Sequence, residues 1–347
     1  MQETRSDPVM RVGLIGAGAI AKLHARVYSN LGWPVRVCTA MRKDHGRRFA
    51  AEIGAEFVDR YQDVCSHPDV DFVDVCTFPD FRLQAVEACA TNRKHIQVQK
   101  PIATTLAVAH RMVDAARSAG IVLGVVSQHR FDDSVAFVGS AIRAGRLGKL
   151  LQCDAYVKWH RTDEYYARPV KGTWATEGGG ALISQAIHQV DLLRWIAGPV
   201  QEVFGVWQLG AAHRIESEDI VAAVLRYQSG ASGVIQASTA IWPGYPERLE
   251  WHGTRGTAII SGDQLVAWDV RDDTGPPPPL ASRAASGASD PMAISLTPFE
   301  RQFTNFANAI HSRTKPLVSG VEGYEALEVV EAIYESCRRG QRVRLTS

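Results

Sequence analysis

The sequence predicts an α/β protein, with a doubly wound parallel sheet followed by an α+β domain that contains a large, mainly antiparallel sheet. Up to about residue 126, short apolar runs alternate with segments whose apolar residues recur at helical spacing, as in parallel strands covered by helices. Beyond that point, longer alternating strands follow one another across loops, which is typical of antiparallel sheets. Two helical segments of the first part end on glycine, at Gly54 and Gly120, as helices commonly do.

The first domain, residues 1–126, is predicted to alternate strands with helices throughout, which favours a parallel sheet. Its strands are MRVGLI, PVRVC, DFVDVCT, KHIQVQ and IVLGVV. Its helices are AIAKLHARVYSN, DHGRRFAAEIG, FRLQAVEACATNR and TLAVAHRMVDAARSAG.

The second domain, residues 127–347, opens with a helical bridge, DDSVAFVGSAIRAGRLG. One helix, at residues 179–196, interrupts a series of strands: LLQCDAYVKWH, VQEVFGVWQL, DIVAAVLRY, ASGVIQASTA, ERLEWHG and TAIISG. The segment 271–297 is rich in Pro, Ser and Gly and is predicted to be a mobile loop. Two helices, at about residues 298–311 and 322–339, close the chain.

Composition excludes several classes of partner. The 347 residues carry 38 Lys and Arg against 37 Asp and Glu, so no overall charge favours nucleic acid or an anionic membrane. No run approaches the roughly 20 apolar residues of a spanning helix, and the N-terminus lacks the pattern of a signal peptide. The six cysteines show no metal-binding spacing. We therefore expect reduced thiols, no metal, a cytoplasmic location and a small-molecule partner.

The stretch GLIGAGAIAKLH follows the first predicted strand and opens the first helix. Gly16, Gly18 and Ala21 have the G-x-G-x-x-G/A spacing, which provides a tight turn, close approach of the backbone to a pyrophosphate, and a small residue where helix meets sheet. The helix N-terminus, with Ala19 and Ile20, supplies aligned N–H donors. This setting predicts a dinucleotide-binding Rossmann domain; the nearest competing interpretation is an S-adenosylmethionine-binding domain.

Lys100 stands at the end of the strand KHIQVQ, directly before Pro101. A single surface lysine is usually solvated, but ligands of open α/β sheets bind outside the carboxyl ends of the strands. Pro101 restricts Lys100 to extended geometry, and a Lys–Pro bond can adopt the cis form. Lys100 is therefore a candidate ligand-binding residue.

A second polar group lies on the predicted helix at residues 179–196. Ser184, His188 and Asp191 are spaced i, i+4 and i+7, so we expect them to share one face. A hydroxyl, an imidazole and a carboxylate are costly to bury among apolar residues without a purpose. Two alternatives stay open: a histidine that bonds Asp191 and binds no ligand, and a metal site, for which this ligand set falls short.

The end of the second strand bears on the choice of dinucleotide. NAD-selective members of this fold place Asp or Glu there to bind the ribose 2′-OH, whereas a 2′-phosphate requires a nearby cation. The stretch TAMRKD has Thr39 at this position, followed by Arg42 and Lys43. The sequence therefore favours NADP over NAD, although Thr39 can also bond a ribose hydroxyl.

Seven stretches together resemble the glucose-fructose oxidoreductase/inositol dehydrogenase/MocA (Gfo/Idh/MocA) family of NAD(P)-dependent oxidoreductases: GAGAIA, CTFPD, QKPIATTL, SQHRF, YVKWHR, GGGALISQAIHQVDLLRWIAG and HGTRGTAIISG. The family's Glu-Lys-Pro motif is here Gln99, Lys100 and Pro101, and the resemblance implies that Lys100 is catalytic and binds substrate. The family's helix motif, Asp or Asn followed four residues later by His, corresponds to Ser184 and His188. It implies proton transfer by His188.

The resemblance implies further contacts. The cofactor is expected near Thr77, Pro79 and Gln99, and the substrate near Lys158, on the second-domain sheet, and near Gln128, Arg130, Ser184 and Asp191. Tyr165 and Tyr166 fit packing equally well. Because Gln99 replaces the usual Glu, and Ser184 the usual acid or amide, we expect a changed hydrogen-bond network around the reacting hydroxyl.

The implied function is hydride transfer between NAD(P) and a secondary alcohol or ketone of a sugar, a cyclic polyol or a sugar derivative. The family commonly forms homodimers or homotetramers through the second-domain sheet. Two alternatives stay open: a cis-dihydrodiol dehydrogenase of the same family, and a non-catalytic NAD(P)-binding regulatory protein.

Overall fold

The computed structural model describes residues 8–276 and 295–345, which divide into two compact units. The first unit runs to Gln128 and includes Leu296–Tyr324. The second comprises His129–Ser295 and the chain from Glu325 onward. The sequence predicts a boundary near residue 126 but assigns Leu296–Tyr324 to the second domain, so the two descriptions differ in this segment.

The first unit contains a parallel six-stranded sheet with the order β3-β2-β1-β4-β5-β6. Its strands are β1 (Val12–Ile15), β2 (Val35–Thr39), β3 (Glu56–Phe57), β4 (Phe72–Val75), β5 (His95–Val98) and β6 (Leu123–Val125). Its helices are α1 (Ala19–Asn30), α2 (Lys43–Ile53), α3 (Tyr61–Ser66), α4 (Arg82–Thr91), α5 (Leu106–Ala119) and, later in the chain, α10 (Thr297–Ser312). The predicted doubly wound parallel sheet is confirmed.

Two elements of this unit, β3 and α3, are missing from the sequence prediction. Strand β3 has 2 residues and α3 has 6. Neither is long enough to show a periodic pattern of apolar residues.

Helix α10 packs in the first unit because its aromatic residues fill that unit's core. The ring of Phe303 lies 4.9 Å from the ring of His24 and 5.1 Å from that of Tyr28, measured between centroids. The ring of Phe306 lies 5.3 Å from that of Phe72. All five side chains are buried. Periodicity shows that a helix has an apolar face, but not which sheet will cover it.

The second unit contains an eight-stranded sheet with the order β13-β12-β11-β7-β10-β9-β8-β14. Its strands are β7 (Leu150–Lys158), β8 (Val200–Leu209), β9 (Glu218–Tyr227), β10 (Ser232–Ser238), β11 (Arg248–Gly253), β12 (Gly256–Ser261), β13 (Gln264–Val270) and β14 (Val343–Arg344). Neighbouring strands are antiparallel except β7 and β10, which are parallel. The predicted mainly antiparallel sheet is confirmed, and β13 and β14 extend it.

Helices cover one face of this sheet. They are α6 (Asp133–Arg143), α7 (Asp163–Tyr166), α8 (Trp174–Glu177), α9 (Ile187–Ala197) and α11 (Gly320–Arg339), of which α11 begins in the first unit. Because side chains alternate along a strand, Ala155 and Val157 of β7 are fully buried while Lys158 is exposed on the other face. We call that other face the open face.

The helix predicted at residues 179–196 is interrupted. Ala181–Gln185 form a π-helical segment, and α9 begins only at Ile187. Ser184 therefore lies in the π-helical segment, whereas His188 and Asp191 lie on α9. The prediction of one continuous α-helix is wrong at this point. Segments of π-helix occur often at functional sites.

The remaining expectations concern the loop, the cysteines and the membrane. Most of the predicted mobile loop, residues 277–294, lies outside the described residues. All six cysteines are free, and burial raises the pKa of the Cys38 and Cys337 thiols to about 11. Among the described helices, none combines the length and the hydropathy that a bilayer span requires.

Candidate active site

The carboxyl ends of four parallel strands bring predicted site residues to one edge of the first unit's sheet. Gly16 and Gly18 follow β1, Thr39 ends β2, Thr77 follows β4 and Lys100 follows β5. Hydrogen bonds join these ends: the Gly16 N–H donates to the Thr39 carbonyl at 2.8 Å. This edge is where ligands of doubly wound sheets bind.

The glycine turn fits a dinucleotide. Gly16 has φ +115°, and a Cβ there would lie 3.0 Å from the Cys76 carbonyl oxygen, so only glycine is tolerated. A Cβ at Gly18 would meet nothing within 4 Å, which leaves open space over the helix N-terminus. Helix α1 has neither a side-chain cap nor an acidic residue in its first turn. The free N–H groups of this helix therefore lie at its exposed start, beside Gly18 and Ala19, and suit a pyrophosphate. Ala21 is fully buried against the sheet.

The turn after β2 carries an exposed cation. Arg42 is the N-cap residue of α2, and its guanidinium makes no hydrogen bond or ion pair within the described residues. The two neighbouring cations are engaged by Asp59: Lys43 donates to the Asp59 carbonyl, and Arg47 lies 3.4 Å from the carboxylate. Thr39 is 5% exposed at the strand end. Arg42 is thus the cation of this turn that remains available to a ligand.

A buried arginine that the sequence analysis missed holds the loops after β4 and β5. The Arg82 side chain donates to the Thr77 carbonyl at 2.6 and 3.1 Å, and also to the carbonyls of Gln99 and Pro101. It is 3% exposed, and burial lowers its pKa to about 9. Arg82 therefore fixes the backbone on both sides of Lys100, which is half-buried and joined to Pro101 by a cis bond.

Gln99 uses both ends of its side-chain amide inside the first unit. Its Nε2 lies 2.7 Å from Nε2 of His24, and its Oε1 accepts from the Lys100 N–H at 3.3 Å. Gln99 is 6% exposed. Its amide is thus engaged within the first unit, and the cofactor contact expected for this residue stays a prediction. Pro79, by contrast, is buried in the short 3-10 helix Pro79–Phe81, beside the half-buried Thr77.

In the second unit, His188 lies on α9 and is 8% exposed. The ring of His129 meets it edge-on, with 5.0 Å between the ring centroids. His129 Nδ1 lies 2.7 Å from Asp132 Oδ2, which orients that ring. The sequence analysis missed His129, because only the fold brings it next to His188.

Asp191 is paired with Arg130. Arg130 Nε and Nη2 donate to the two carboxylate oxygens of Asp191 at 2.8 and 2.5 Å. Arg130 is 1% exposed and Asp191 3%. The guanidinium also lies 5.1 Å from the ring centroid of Trp195. A bidentate, buried pair of this kind fixes the start of the second unit against α9, so the substrate contacts expected from both residues receive no support.

Ser184 lies beside a buried ion pair. Its Oγ is 3.5 Å from Glu177 Oε1, and the same carboxylate oxygen is 2.5 Å from Lys171 Nζ. Although burial disfavours the ammonium, the neighbouring Tyr165 and Glu177 raise the pKa of Lys171. Ser184 replaces an acid or amide in the family motif, and a carboxylate is nevertheless close to it.

The residue after Ser184 links this group to two further side chains. Gln185 Nε2 donates to the Tyr165 hydroxyl at 3.0 Å, and Gln185 Oε1 accepts from Arg161 at 2.8 and 3.1 Å. Tyr165 therefore joins the polar group around Ser184. Tyr166 instead is half-buried, donates to Thr239 Oγ1 at 2.8 Å and packs on the His213 ring.

A buried carboxylate organises the start of the π-helical segment. Glu218 accepts from the N–H groups of Gly180 and Leu182, each at 2.8 Å, and from the Tyr334 hydroxyl at 2.7 Å. Burial raises the pKa of Glu218 to about 7, against the effect of these donors. A Cβ at Gly180 would lie 1.9 Å from the Glu218 carbonyl oxygen, so glycine is required there.

Two residues predicted to contact the substrate are placed differently: Lys158 lies on the face opposite His188, and Gln128 is buried. Lys158 is exposed on the open face, with Nζ 5.7 Å from the Tyr156 ring centroid, because side chains alternate along β7. Helix α9, with His188, covers the opposite face. The structure therefore does not bring Lys158 to the face that carries His188. Gln128 is buried just after β6, at the carboxyl edge of the first sheet.

Two clusters of the described residues offer three metal-ligating atoms within 4.8 Å of one another: His24, Asp74 and Cys76, and Asp154, Glu250 and His252. In the first cluster, His24 Nδ1 is already 2.6 Å from Asp74 Oδ2, which is a hydrogen-bond distance. In the second, His252 bonds Glu250 and Thr257. Internal hydrogen bonds therefore account for both groups.

Two family models match the chain. One, described as an oxidoreductase family with an NAD-binding Rossmann fold, matches residues 10–127. The other, described as the GFO/IDH/MocA C-terminal domain, matches residues 135–259. Together they span the glycine turn, Lys100 and His188.

Named relatives align over most of the chain. Myo-inositol 2-dehydrogenase of Thermotoga maritima is 28% identical over 347 residues, which is 97% of this chain and 98% of that protein. A 1-carboxy-3-chloro-3,4-dihydroxycyclohexa-1,5-diene dehydrogenase of Comamonas testosteroni is 29% identical over 75% of this chain and 61% of its own length. The solved WlbA dehydrogenase of Bordetella pertussis, in complex with NADH and UDP-GlcNAcA, has a TM-score of 0.86 at 28% identity, covering 98% of this chain and all of that chain.

Proposed function

The chain belongs to the Gfo/Idh/MocA family of oxidoreductases, and we propose that it transfers hydride between a nicotinamide dinucleotide and the CH–OH carbon of a sugar, a cyclic polyol or a sugar derivative. The observation that carries this proposal is the single sheet edge that holds both an open glycine turn, at Gly16 and Gly18, and the half-buried Lys100. A pyrophosphate site and an ammonium at one edge suit a reaction between a dinucleotide and a polar substrate.

The proposed chemistry assigns a separate role to each of two side chains. Nicotinamide, when bound, accepts or supplies the hydride. Oxidation of an alcohol also removes the hydroxyl proton. We assign the uptake of that proton to His188, because an imidazole can act as a base near neutral pH. A positioned base typically raises the reaction rate by ~10²–10⁴-fold. The Lys100 ammonium stabilises the negative charge that develops on the same oxygen, without taking the proton.

Three substrate classes follow from the relatives, and one panel separates them. The inositol dehydrogenase supports a cyclic polyol, the WlbA complex supports a nucleotide sugar, and the Comamonas enzyme supports a dihydrodiol. Purified protein would be given NAD or NADP with myo-inositol, with UDP-GlcNAcA or with a cis-dihydrodiol, and absorbance of reduced nicotinamide followed. Turnover of either sugar-type probe supports the proposal. Turnover of the dihydrodiol alone favours the second candidate, and cofactor binding without turnover of any probe favours a regulatory protein.

For the cofactor, we propose that NADP is preferred over NAD. Thr39 places no carboxylate at the end of β2, and the exposed Arg42 is not engaged by other described residues. A guanidinium suits the 2′-phosphate of NADP because its planar fork of donors bonds two phosphate oxygens at once. The paired Lys43 and Arg47 do not compete for this role.

We expect the wild type to bind NADP more tightly than NAD, and Thr39→Asp to invert that preference. A carboxylate at position 39 repels the 2′-phosphate and accepts from the ribose 2′-OH, so the ratio of the two dissociation constants should move by ~10–100-fold. Arg42→Ala should weaken NADP alone by about tenfold, whereas Lys43→Ala, the matched control, should have little effect. Fluorescence titration of both dinucleotides measures this. A ratio that Thr39→Asp leaves unmoved would refute the preference.

For assembly, we propose a homodimer or homotetramer that buries the open face. Phe204 and Val206 of β8 are 41% and 58% exposed, and Val224 of β9, directly opposite Phe204, is 55% exposed. Contiguous apolar side chains on a sheet face are typical of an interface. The occupant we propose is a second copy of this chain, as the family resemblance implies.

Val224→Asp should dissociate this assembly, because a carboxylate in the centre of an apolar interface loses its hydration without gaining a partner. Sedimentation velocity of the wild type should show a dimer or tetramer, and the variant should sediment as a monomer of 38.0 kDa. Val9→Asp is the matched control, since Val9 is 66% exposed in the first unit. A monomeric wild type would contradict the proposal.

A further inference from the structure

We propose that Asp74, His24 and Gln99 form a buried chain of hydrogen bonds that positions the backbone of Lys100 and holds His24 as a neutral imidazole. His24 would then be a positioning residue, since it acts on Lys100 through Gln99. The inference rests on the proposed function only for the catalytic importance of Lys100. Its three contacts all lie within the first unit.

This series of hydrogen bonds runs from β4, in the first unit's sheet, to the end of β5. His24, on α1, is fully buried, and its Nδ1 lies 2.6 Å from Oδ2 of Asp74 on β4. On the other side of the ring, His24 Nε2 lies 2.7 Å from Nε2 of Gln99. Oε1 of Gln99 accepts from the Lys100 N–H at 3.3 Å. Three side chains thus connect a buried carboxylate to the backbone of Lys100.

The donors in this chain determine where the proton on His24 lies. Because the amide oxygen of Gln99 accepts from Lys100, the group that faces His24 is the amide NH2, which can only donate. Nε2 of His24 must therefore carry its lone pair. The ring proton is then on Nδ1, where it donates to the Asp74 carboxylate. The N–H of Lys100 thus specifies the tautomer of His24 through two hydrogen bonds, which meet at the Gln99 side chain.

Besides Asp74, the titratable side chains that contact His24 stay neutral. Tyr28 donates to Asp74 Oδ2 at 2.7 Å, and Cys76 Sγ lies 3.4 Å from His24 Nδ1. Burial and the nearby Asp74 raise the pKa of both Tyr28 and Cys76 well above the usual values, so both stay neutral. Phe299 and Phe303 of α10 supply apolar contacts, and the charge of Arg82 acts on Asp74 and Cys76.

This arrangement explains in physical terms why position 99 carries a glutamine. Arg82 holds the carbonyls of Gln99 and Pro101, while the Gln99 side chain holds the N–H of Lys100, so this short segment is fixed through donors and acceptors alike. A glutamate at position 99 would place a carboxylate oxygen against the lone pair of His24. The imidazole would then have to take a second proton. A glutamine at position 99 therefore requires a neutral imidazole at His24.

The first experiment observes the proton. The full chain would be labelled with 15N-histidine, and the ring signals of His24 assigned by their loss in His24→Gln. We expect the neutral Nδ1–H tautomer at about pH 7, because the amide NH2 of Gln99 faces Nε2 of the ring. Gln99→Glu should convert His24 to an imidazolium at the same pH. An imidazolium or an Nε2–H tautomer in the wild type would overturn the inference.

The second experiment observes the positioning. Hydrogen exchange of the Lys100 amide should be about tenfold faster in His24→Phe, because Gln99 loses the partner that holds its amide. Gln99→Leu, which keeps the apolar bulk, should give the same acceleration if His24→Phe does not fold. Tyr28→Phe is the control: it removes a buried hydrogen bond to Asp74 but no link to Lys100. Equal acceleration in the control, or none in Gln99→Leu, would contradict a positioning role.

These outcomes are independent of turnover. If no probe of the substrate panel reacts, the proposed function fails while the tautomer and the exchange rates still stand. If the chain is an enzyme but His24 is protonated, only the present inference fails.

Discussion

Lys100→Met should lower kcat/KM by ~10²-fold or more while leaving dinucleotide affinity almost unchanged. The ammonium is assigned to the reacting oxygen, where it stabilises charge that develops in the transition state, and losses of this size are typical when such a group is removed. Methionine keeps the length and apolar bulk of the half-buried side chain. Steady-state kinetics on the substrate identified by the panel, together with fluorescence titration of the dinucleotide, measures both quantities.

Lys158→Met is the matched control for this prediction. Lys158 also ends a strand, but it is exposed on the open face of the second sheet. We expect this variant to keep most of its kcat/KM. Wild-type turnover by Lys100→Met would remove Lys100 from the reaction, and a large loss in Lys158→Met would restore the substrate contact that the sequence analysis assigned to it.

His188→Asn should remove most activity together with one limb of the pH profile. If His188 accepts the hydroxyl proton, kcat/KM for alcohol oxidation should fall as the pH drops through the range in which an imidazole titrates, because the protonated ring cannot act as a base. Asparagine retains hydrogen bonding but does not titrate there. The loss should be ~10²-fold or more, and the residual rate should be flat across this limb.

His129 makes the comparison specific. Its ring lies 5.0 Å from that of His188 and bonds Asp132, so it is a second imidazole directly beside the proposed base. In His129→Asn we expect the acidic limb to persist. If the limb disappears in His129→Asn and persists in His188→Asn, then His129 is the base and the assignment must be exchanged.

The polar side chains that surround these two residues were not predictable from the sequence. Arg82 reads as an ordinary helix residue, yet it donates to the carbonyls of Thr77, Gln99 and Pro101, up to 19 positions away. Glu177 stands before three glycines and reads as a turn residue, yet it pairs with Lys171 beside Ser184. Single residues of these types carry no periodic signal, so nothing in the local pattern marks them.

Local sequence patterns also do not reveal long-range partners, which explains why the role expected for Asp191 lacks support. Asp191 reads as a partner for His188, because the two are three positions apart on one helix. Its carboxylate instead receives both donors of Arg130, 61 positions earlier in the chain. Spacing along a helix shows which residues are neighbours on its surface. It does not show which distant side chain competes for the same oxygen.

By itself, the sequence determined the order of most strands and helices, the parallel and antiparallel halves and the glycine turn. These features depend on apolar periodicity and on turn residues within a few positions of one another, where the physics is local. The roles proposed for Lys100 and His188 rest on the family resemblance. Only the tertiary structure decided that α10 joins the first unit, that Lys158 faces away from α9, and that Gln99 bonds His24, 75 positions away. Burial favours a hydrogen-bond partner for a polar atom, and that partner is chosen by distance in the folded chain, which no spacing in the sequence encodes.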